Sequence, residues 1–278
     1  MDKSGLTGRD YRLFQNTPAW DLAKAVEDED VNEIDKILKE NPGLVNYQEP
    51  KYGNTLLMLT VTNQQMASFR ALLERNADVN IHDNYDGASA LIDACELKEY
   101  DIKYAQMLIE HGADVNDVET GKRREGNSTR FTPLLRASRS GILSLVKLLI
   151  SKGAKINYRN EFGVSALSAS VMQKEYEVAL YLLQNGADYK QPIFYRPDYT
   201  IPSELHDPNE KGEAMYLWDV LREDFTDLET DRHKYKMQIV DFLMANGIDY
   251  RAMPIPDYIR EKAQKKYPET WQEYLDKY

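Results

Sequence analysis

The sequence predicts an all-α solenoid built of helix–turn–helix units with hairpin-like turns, and three observations predict it. The first is a phrase, Gly112-Ala113-Asp114-Val115-Asn116, echoed at residues 76–80, 153–157 and 186–190, with a weaker copy at 246–250. The second is an apolar pair just before each copy: Leu72-Leu73, Leu108-Ile109, Leu149-Ile150, Leu182-Leu183 and Leu243-Met244. The third is spacing, since the first residue of the tight loop recurs at intervals of 36 (76 to 112), 41 (112 to 153), 33 (153 to 186) and 61 (186 to 247). A small unit copied at a near-constant interval is stabilised by contacts with its neighbours, not by one central core.

Each apolar pair closes an amphipathic helix, and the Gly or Asn three residues on supplies the left-handed residue that ends it. Upstream lies a second signature, read at Gly53-Asn54-Thr55-Leu56, Gly87-Ala88-Ser89-Ala90, Arg130-Phe131-Thr132-Pro133 and Gly163-Val164-Ser165-Ala166. Its Thr or Ser is the expected N-cap, and Pro133 fits the first helical position, where no amide donor is missed. One unit is therefore turn, short helix, tight loop, longer helix. Small residues such as Ala137 and Ser138 let the short helices approach closely, and Cys95, at the Ser138 position, reads as a small buried residue.

The expected organisation is one elongated domain over residues 1–278 with about six repeats including degenerate caps. An N-terminal capping repeat spans 16–48, with an acidic outer face of Glu27, Asp28, Glu29, Asp30, Glu33 and Asp35, and four well-marked repeats span 49–190. An insertion at 119–128 lengthens one finger and carries Lys122, Arg123 and Arg124. The segment 191–213 holds Pro192, Pro197 and Pro202 among Phe194, Tyr195 and Tyr199, so it is expected to run extended. A degenerate repeat follows at 214–250, with helices expected over 215–228 and 233–244, and capping helices at 254–278 carry Tyr258, Ile259, Ala263, Trp271, Tyr274, Leu275 and Tyr278.

The pattern resembles the ankyrin repeat. The likeness rests on Thr132-Pro133-Leu134, Gly141, Leu149-Ile150 and Gly153-Ala154 in one repeat, with matching positions in three others, and covers residues 50 to 190. The His that usually follows Thr-Pro-Leu is replaced by Met58, Ile92, Leu135 and Ser168, so packing must replace its hydrogen bonds. What the resemblance implies is a non-enzymatic module that binds a partner protein on its concave face. Carried over by position, the candidate partner-binding residues are Tyr52, Asn54, Asn63, Tyr85, Asp86, Glu96, Phe131, Arg139, Glu161, Phe162 and Met172, flanked by Lys51, Thr62, Leu97, Ser128, Ser140 and Gln173. Tyr52, Tyr85, Phe131 and Phe162 are large rings beside turns: interface anchors if exposed, packing for the neighbouring finger if not.

Charge narrows the partner. With 35 Lys and Arg against 46 Asp and Glu, the net charge of −11 disfavours nucleic acid and anionic membrane and suits a basic protein. Residues 198–231 carry eleven acids and two cations, which reads as solubility or as a docking patch. The pairs Asp93 with Glu96 and Glu223 with Asp224 read as solvated faces rather than acid–base machinery. No phosphate loop, nucleophile elbow or Cys-x-x-Cys occurs. The four histidines, His82, His111, His206 and His233, do not share a repeat, so no catalytic residue, metal or cofactor is expected.

No run of about 18 apolar residues occurs, and Met1-Asp2-Lys3-Ser4-Gly5 lacks a signal-like apolar stretch. A cytoplasmic monomer is expected, or a periplasmic or exported one if a signal was removed. Compactness, acidity and the aromatic-lined face look like bacterial ankyrin proteins that neutralise a toxin or enzyme, so an immunity-type inhibitor is the narrower form. The enzymatic alternative places a pocket of Tyr199, His206 and Asp207 at the 192–207 insertion. A third reading has that insertion occupy the protein's own groove.

Overall fold

The computed structural model describes residues 3–96, 98, 101–121, 130–198 and 212–278. The cationic run at 122–124, Leu97, Ser128, Tyr199, Pro202, His206 and Asp207 lie outside the described residues. The chain divides into two compact units, residues 1–155 with 160–162 and residues 156–159 with 163–278.

The first unit holds four helix pairs: α1 (Trp20–Glu27) with α2 (Val31–Glu40), α3 (Leu56–Thr62) with α4 (Met66–Glu74), α5 (Ala90–Ala94) with α6 (Ile102–Glu110), and α7 (Pro133–Arg139) with α8 (Leu143–Ser151). Short helices stack on short ones and long on long, α3 on α5 on α7 and α2 on α4. Leu22, Leu56, Leu72, Leu91, Leu108 and Leu149 are fully buried between them. The caps form where the second signature puts them, with Thr55 Oγ1 accepting from Met58 N–H at 3.3 Å and Thr132 Oγ1 from Leu135 N–H at 3.2 Å. Ser89 departs from that expectation: its hydroxyl is buried with no hydrogen-bond partner, and α5 starts uncapped.

The repeated phrase has a physical meaning letter by letter. Its first residue takes the left-handed turn, φ +91° at Gly153, and its buried Ala donates back to the helix just ended, Ala154 N–H to Leu149 O at 3.0 Å. Its Asp carboxylate folds the loop, Asp114 Oδ1 accepting from Asn116 N–H at 2.8 Å. Its final Asn reads the next copy. Asn80 Oδ1 accepts from Asp114 N–H at 3.0 Å while its amide donates to Gly112 O at 3.1 Å. Asn116 does the same to Lys155 N–H at 2.8 Å and Gly153 O at 3.2 Å, and Asn46 accepts from Asp78 N–H at 2.8 Å.

The finger turns are joined by main chain, Asn84 N–H to Tyr52 O at 2.6 Å and Thr120 N–H to Gly87 O at 2.9 Å. Gly87 is required there twice over: its φ is +70°, and a Cβ would come within 2.0 Å of Gly121 N. Ahead of α1, a 3-10 turn at Tyr11–Phe14 buries Tyr11, Leu13 and Phe14 against it, so packing begins before residue 16.

The second unit continues with α9 (Ala166–Met172) and α10 (Tyr176–Gln184), where Asn157 again reads the next phrase, accepting from Asp188 N–H at 2.8 Å. The described part of the insertion does more than run extended. Strand β1 (Phe194–Arg196) pairs antiparallel with β2 (Glu213–Met215), Phe194 opposite Met215. Met215 is thus a strand residue, and the helix expected over 215–228 is the shorter α11 (Leu217–Glu223), begun by Asp219 Oδ2 accepting from Tyr216 N–H at 3.0 Å. Next come α12 (Asp231–Ala245), α13 (Asp257–Lys266) and α14 (Trp271–Lys277).

Several acids of the 198–231 run are structural. Asp224 is buried and accepts from Lys174 at 2.7 Å, from Tyr176 Oη at 2.7 Å and from Arg232. Burial pushes its carboxyl up, but these three donors outweigh that and hold it below the ordinary value. The expected solvated pair Glu223–Asp224 is therefore not one, since Glu223 also pairs with Arg196. Beside it, Arg222 donates to the backbone oxygens of Tyr250 at 2.7 Å and Tyr278 at 3.2 Å. Lys236 is fully buried with Nζ 3.6 Å from the Tyr278 ring centroid, donating to Asp224 O at 2.8 Å. Tyr274, Tyr278, Ile259 and Ala263 close this core, with the Phe225 ring stacked 4.9 Å from Tyr274. Tyr258, expected among them, is exposed.

Two expectations follow. Asn116→Ala removes an acceptor and a donor that join consecutive loops, and should cost about 1–2 kcal/mol, read as a lower urea midpoint with an unchanged slope. For Lys236, burial, with Arg222, Arg232 and Lys174 adding to it against Asp224, lowers the ammonium to about 7 from 10.5. Between those values the unfolded chain binds the extra proton, so stability rises with pH from about 7, until ionising tyrosines oppose it near pH 10. Between pH 7 and 9 the intact chain should gain about 2 kcal/mol more urea stability than Lys236→Met does.

Candidate functional site

Tyr52, Asn54, Tyr85, Asp86 and Glu96 line one cleft of about 550 Å³ in the first unit. Its floor is Met58 and Leu59 of α3, and Asp83, Asp93 and the segment Thr7–Arg9 complete the wall.

The turns that present these side chains are each organised by a buried or half-buried acceptor. Glu49 takes N–H groups from Lys51 at 2.6 Å and Tyr52 at 2.7 Å. Asp83 takes four, from Tyr85 at 2.5 Å, Asp86 at 2.8 Å, Gly87 at 3.2 Å and Ala88 at 2.9 Å. Glu119, fully buried, takes Phe131 N–H at 3.1 Å and pairs with Arg136. With the backbone amides held inward, Tyr85 projects at 49% exposure and meets Tyr52 edge to face, centroids 5.7 Å apart.

The electrostatics of the cleft are acidic. Asp93, on α5, is half-buried, and burial together with the neighbouring Asp83 and Glu96 pushes its carboxyl up to about 8, against the pull of Arg136. It is not the solvated face that the sequence suggested. Glu96 lies 3.7 Å from Arg136. Cys95 is buried, and burial raises its thiol further from the reactive thiolate.

The remaining candidates scatter. Asn63 lies in an adjacent hollow with Arg9 and Gln65, its amide donating to Arg9 O at 2.9 Å. Phe131 is 3% exposed, so it is not a free anchor: the Arg136 and Arg139 guanidiniums cover its ring at 4.5 and 5.6 Å. Glu161 and Phe162 stay on the surface of the first unit, Phe162 at 45% exposure with its N–H held by Asn160 Oδ1 at 3.0 Å. Met172 belongs to the second unit and lines a smaller hollow of about 250 Å³ with Phe194 and Tyr176. The catalytic alternative at Tyr199, His206 and Asp207 falls outside the described residues. Among the described residues no group of three His, Cys, Asp or Glu side chains is placed to hold a metal, and no helix there is long and apolar enough to cross a membrane.

A family profile of ankyrin repeats, in three copies, matches residues 22–119 and 118–192. The chain belongs to the ankyrin-repeat family. It is 26% identical over 197 residues to the ankyrin repeat and KH domain-containing protein mask-1 of Caenorhabditis elegans, covering 63% of this chain and 7% of that one. It is 31% identical over 162 residues to neurogenic locus notch homolog protein 1 of Xenopus laevis, 58% of this chain and 6% of that one. A B-cell lymphoma 3 protein homolog of Mus musculus is 27% identical over 142 residues, 50% of this chain and 30% of that one. The ankyrin repeats mark a protein–protein interaction module.

Sequence reasoning missed Asp83, Met58 and Thr7–Arg9. The turn acceptor was readable, four residues before Gly53 and Gly87. The N-terminal segment carries no repeat signature, and only the apolar Tyr11, Leu13 and Phe14 signalled that it packs. Because Asp93 holds its proton more tightly folded than unfolded between pH about 4 and 8, it erodes stability as pH rises through that window. Asp93→Asn should raise the urea stability at pH 8, where the folded carboxylate is disfavoured, and change little at pH 4.

Proposed function

We propose that this ankyrin-repeat chain is a non-enzymatic adaptor that captures a basic protein partner at the cleft of the first unit. The observation that carries the reading is the composition of that cleft, an exposed Tyr85 against Tyr52 with Asp86, Asp93 and Glu96 around an apolar floor. A Lys or Arg side chain fits it on three counts: carboxylates for the charge, aromatic rings for the cation and Met58 with Leu59 for the methylene stem. Such a cation would also relieve the mutual repulsion at Asp93. The net charge of −11 would speed the approach of a basic partner. The chain acts as a cytoplasmic monomer on this reading.

The narrower form is inhibition: the captured protein is a toxin or enzyme held inactive. It draws on the same acidity, and it parts from plain capture when the partner's activity is assayed with and without the chain.

The test is capture from the source cell by the chain and by Tyr85→Ala/Asp86→Arg/Glu96→Arg, with circular dichroism as the folding control. A stoichiometric partner bound at least about tenfold more weakly by the variant, and more weakly at high salt, is expected. Equal capture by both would remove the cleft from the function.

A further inference from the structure

The inner face of the repeat formed by residues 49–75 already has an occupant. Residues 3–9 lie across it as two consecutive turns, Leu6 N–H to Lys3 O and Asp10 N–H to Thr7 O, both at 3.2 Å. The face holds them through their carbonyl oxygens. Lys51 Nζ donates to Lys3, Ser4 and Leu6 O at 2.9 Å each, and Tyr52 Oη to Leu6 O at 2.9 Å. Asn54 donates to Gly8 O at 3.0 Å and Asn63 to Arg9 O at 2.9 Å. Tyr52, Asn54 and Asn63 are thereby engaged by the chain itself, although their positions in the repeat are those of partner-binding residues.

We infer that this face is a peptide-binding site that reads main-chain carbonyls of a turn-forming segment, and that residues 3–9 are its built-in, displaceable occupant. Three features separate this segment from ordinary packed chain. Its apolar anchoring is slight, since Ser4, Gly5, Thr7 and Arg9 are exposed and Leu6 is only half-buried, whereas Tyr11, Leu13 and Phe14 immediately after it are buried. Its hydrogen bonds, including those that Lys3 Nζ donates to Leu13 O at 2.6 Å and Gln15 O at 2.7 Å, are made by side chains at the solvent boundary, where each is worth little beyond the water it replaces. Ordering seven residues opposes that gain, so bound and released forms lie close in free energy. Gly5 and Gly8 suit the two turns; a Cβ on Gly8 would press Asn54 Nδ2 at 3.2 Å.

The consequence is competition. Thr7, Gly8 and Arg9 also form one wall of the acidic cleft, so an incoming peptide that takes the carbonyl-reading donors removes that wall. Displacement would thus open the cleft, coupling peptide capture to access by a cationic side chain. This inference rests on the docking reading for its biological use, but not for its measurement.

The experiment uses the chain lacking residues 1–9 and a synthetic peptide of residues 1–10. Saturable binding to the truncated chain is expected, at least about tenfold weaker binding to the intact chain, and loss of binding when the truncated chain carries Asn54→Ala. Equal binding to both chains, or none to a truncated chain that melts as the intact one does, overturns the inference; so does a truncated chain that fails to fold. On the intact chain, trypsin cleavage after Arg9 reads the same equilibrium. Asn54→Ala/Asn63→Ala should accelerate that cleavage about tenfold with the melting temperature little changed, and an unaltered rate overturns the displaceable state. A truncated chain that binds the peptide but captures no partner leaves this inference standing and removes only the proposed function.

Discussion

The structure depends on one side-chain amide per repeat. The last letter of the repeated phrase, Asn80 or Asn116, accepts from the backbone of the next phrase and donates to the carbonyl just before it. A bond to the backbone does not depend on the neighbour's side chain, which is why Lys155 serves where other copies carry Asp. What it does fix is register, because both contacts form only when successive loops sit one repeat apart. Helix packing alone would tolerate sliding along the apolar ridge; the amide does not. The phrase that ends in Lys190 has no such amide, and there the regular spacing stops and the insertion begins. At the weak last copy, which turns at Gly247, the same position is the exposed Arg251, and the residue before it, Tyr250, is buried and tied to Arg222. The second unit therefore ends on a core of tyrosines around Arg222 and Lys236 rather than on another amide link.

A second layer of recurrent polar chemistry positions the cleft. Glu49, Asp83, Glu119 and Asn160 each accept from backbone N–H groups of their own turn. A turn held this way presents the following side chains outward without needing a particular identity at those positions. Tyr52, Tyr85 and Phe162 stand at comparable places, and so does Phe131. The ring that differs is Phe131, and its difference has a local cause. Glu119 is eleven residues before Arg130, not four before a Gly, and Arg130 takes the left-handed φ of 69° while donating to Glu119 O at 2.8 Å. The cations Arg136 and Arg139 then fold over the ring.

Periodicity made the repeats legible, since helices, caps and tight loops follow from local spacing that recurs. The all-α solenoid class, the helix ends at the Gly-Ala or Asn-Ala steps and the burial of Cys95 could all be read from residues 53–190. The site was legible in part. Tyr52, Asn54, Tyr85, Asp86 and Glu96 meet in one cleft because the repeat places them at matching positions. Phe131 and Met172 do not join it, for reasons of insertion and distance along the chain that spacing alone does not encode. Asp93 looked like one half of a solvated pair; the charges that act on it come from Asp83 in the turn before α5 and from Arg136 on the next repeat, which spacing along one helix does not show. The segment before residue 10 left no trace because its carbonyl-mediated docking carries no side-chain pattern.

The acids of the first unit fall into two kinds, and the distinction bears on why the cleft exists. Glu49, Asp83 and Glu119 are satisfied by amides or by Arg136, so their charge is used by the fold. Asp93 is different: burial and the charges of Asp83 and Glu96 disfavour its ionised form. An Asn would fill the same volume without the repulsion. Local choices that work against stability without serving the fold concentrate at functional positions. An acid whose charge is disfavoured stands in the wall of the cleft that Tyr52 and Tyr85 border, next to the Thr7–Arg9 segment. The repeat rhythm builds the scaffold, and two features stand outside its economy: Asp93 within the rhythm and Thr7–Arg9 ahead of it, both in the wall of the same cleft.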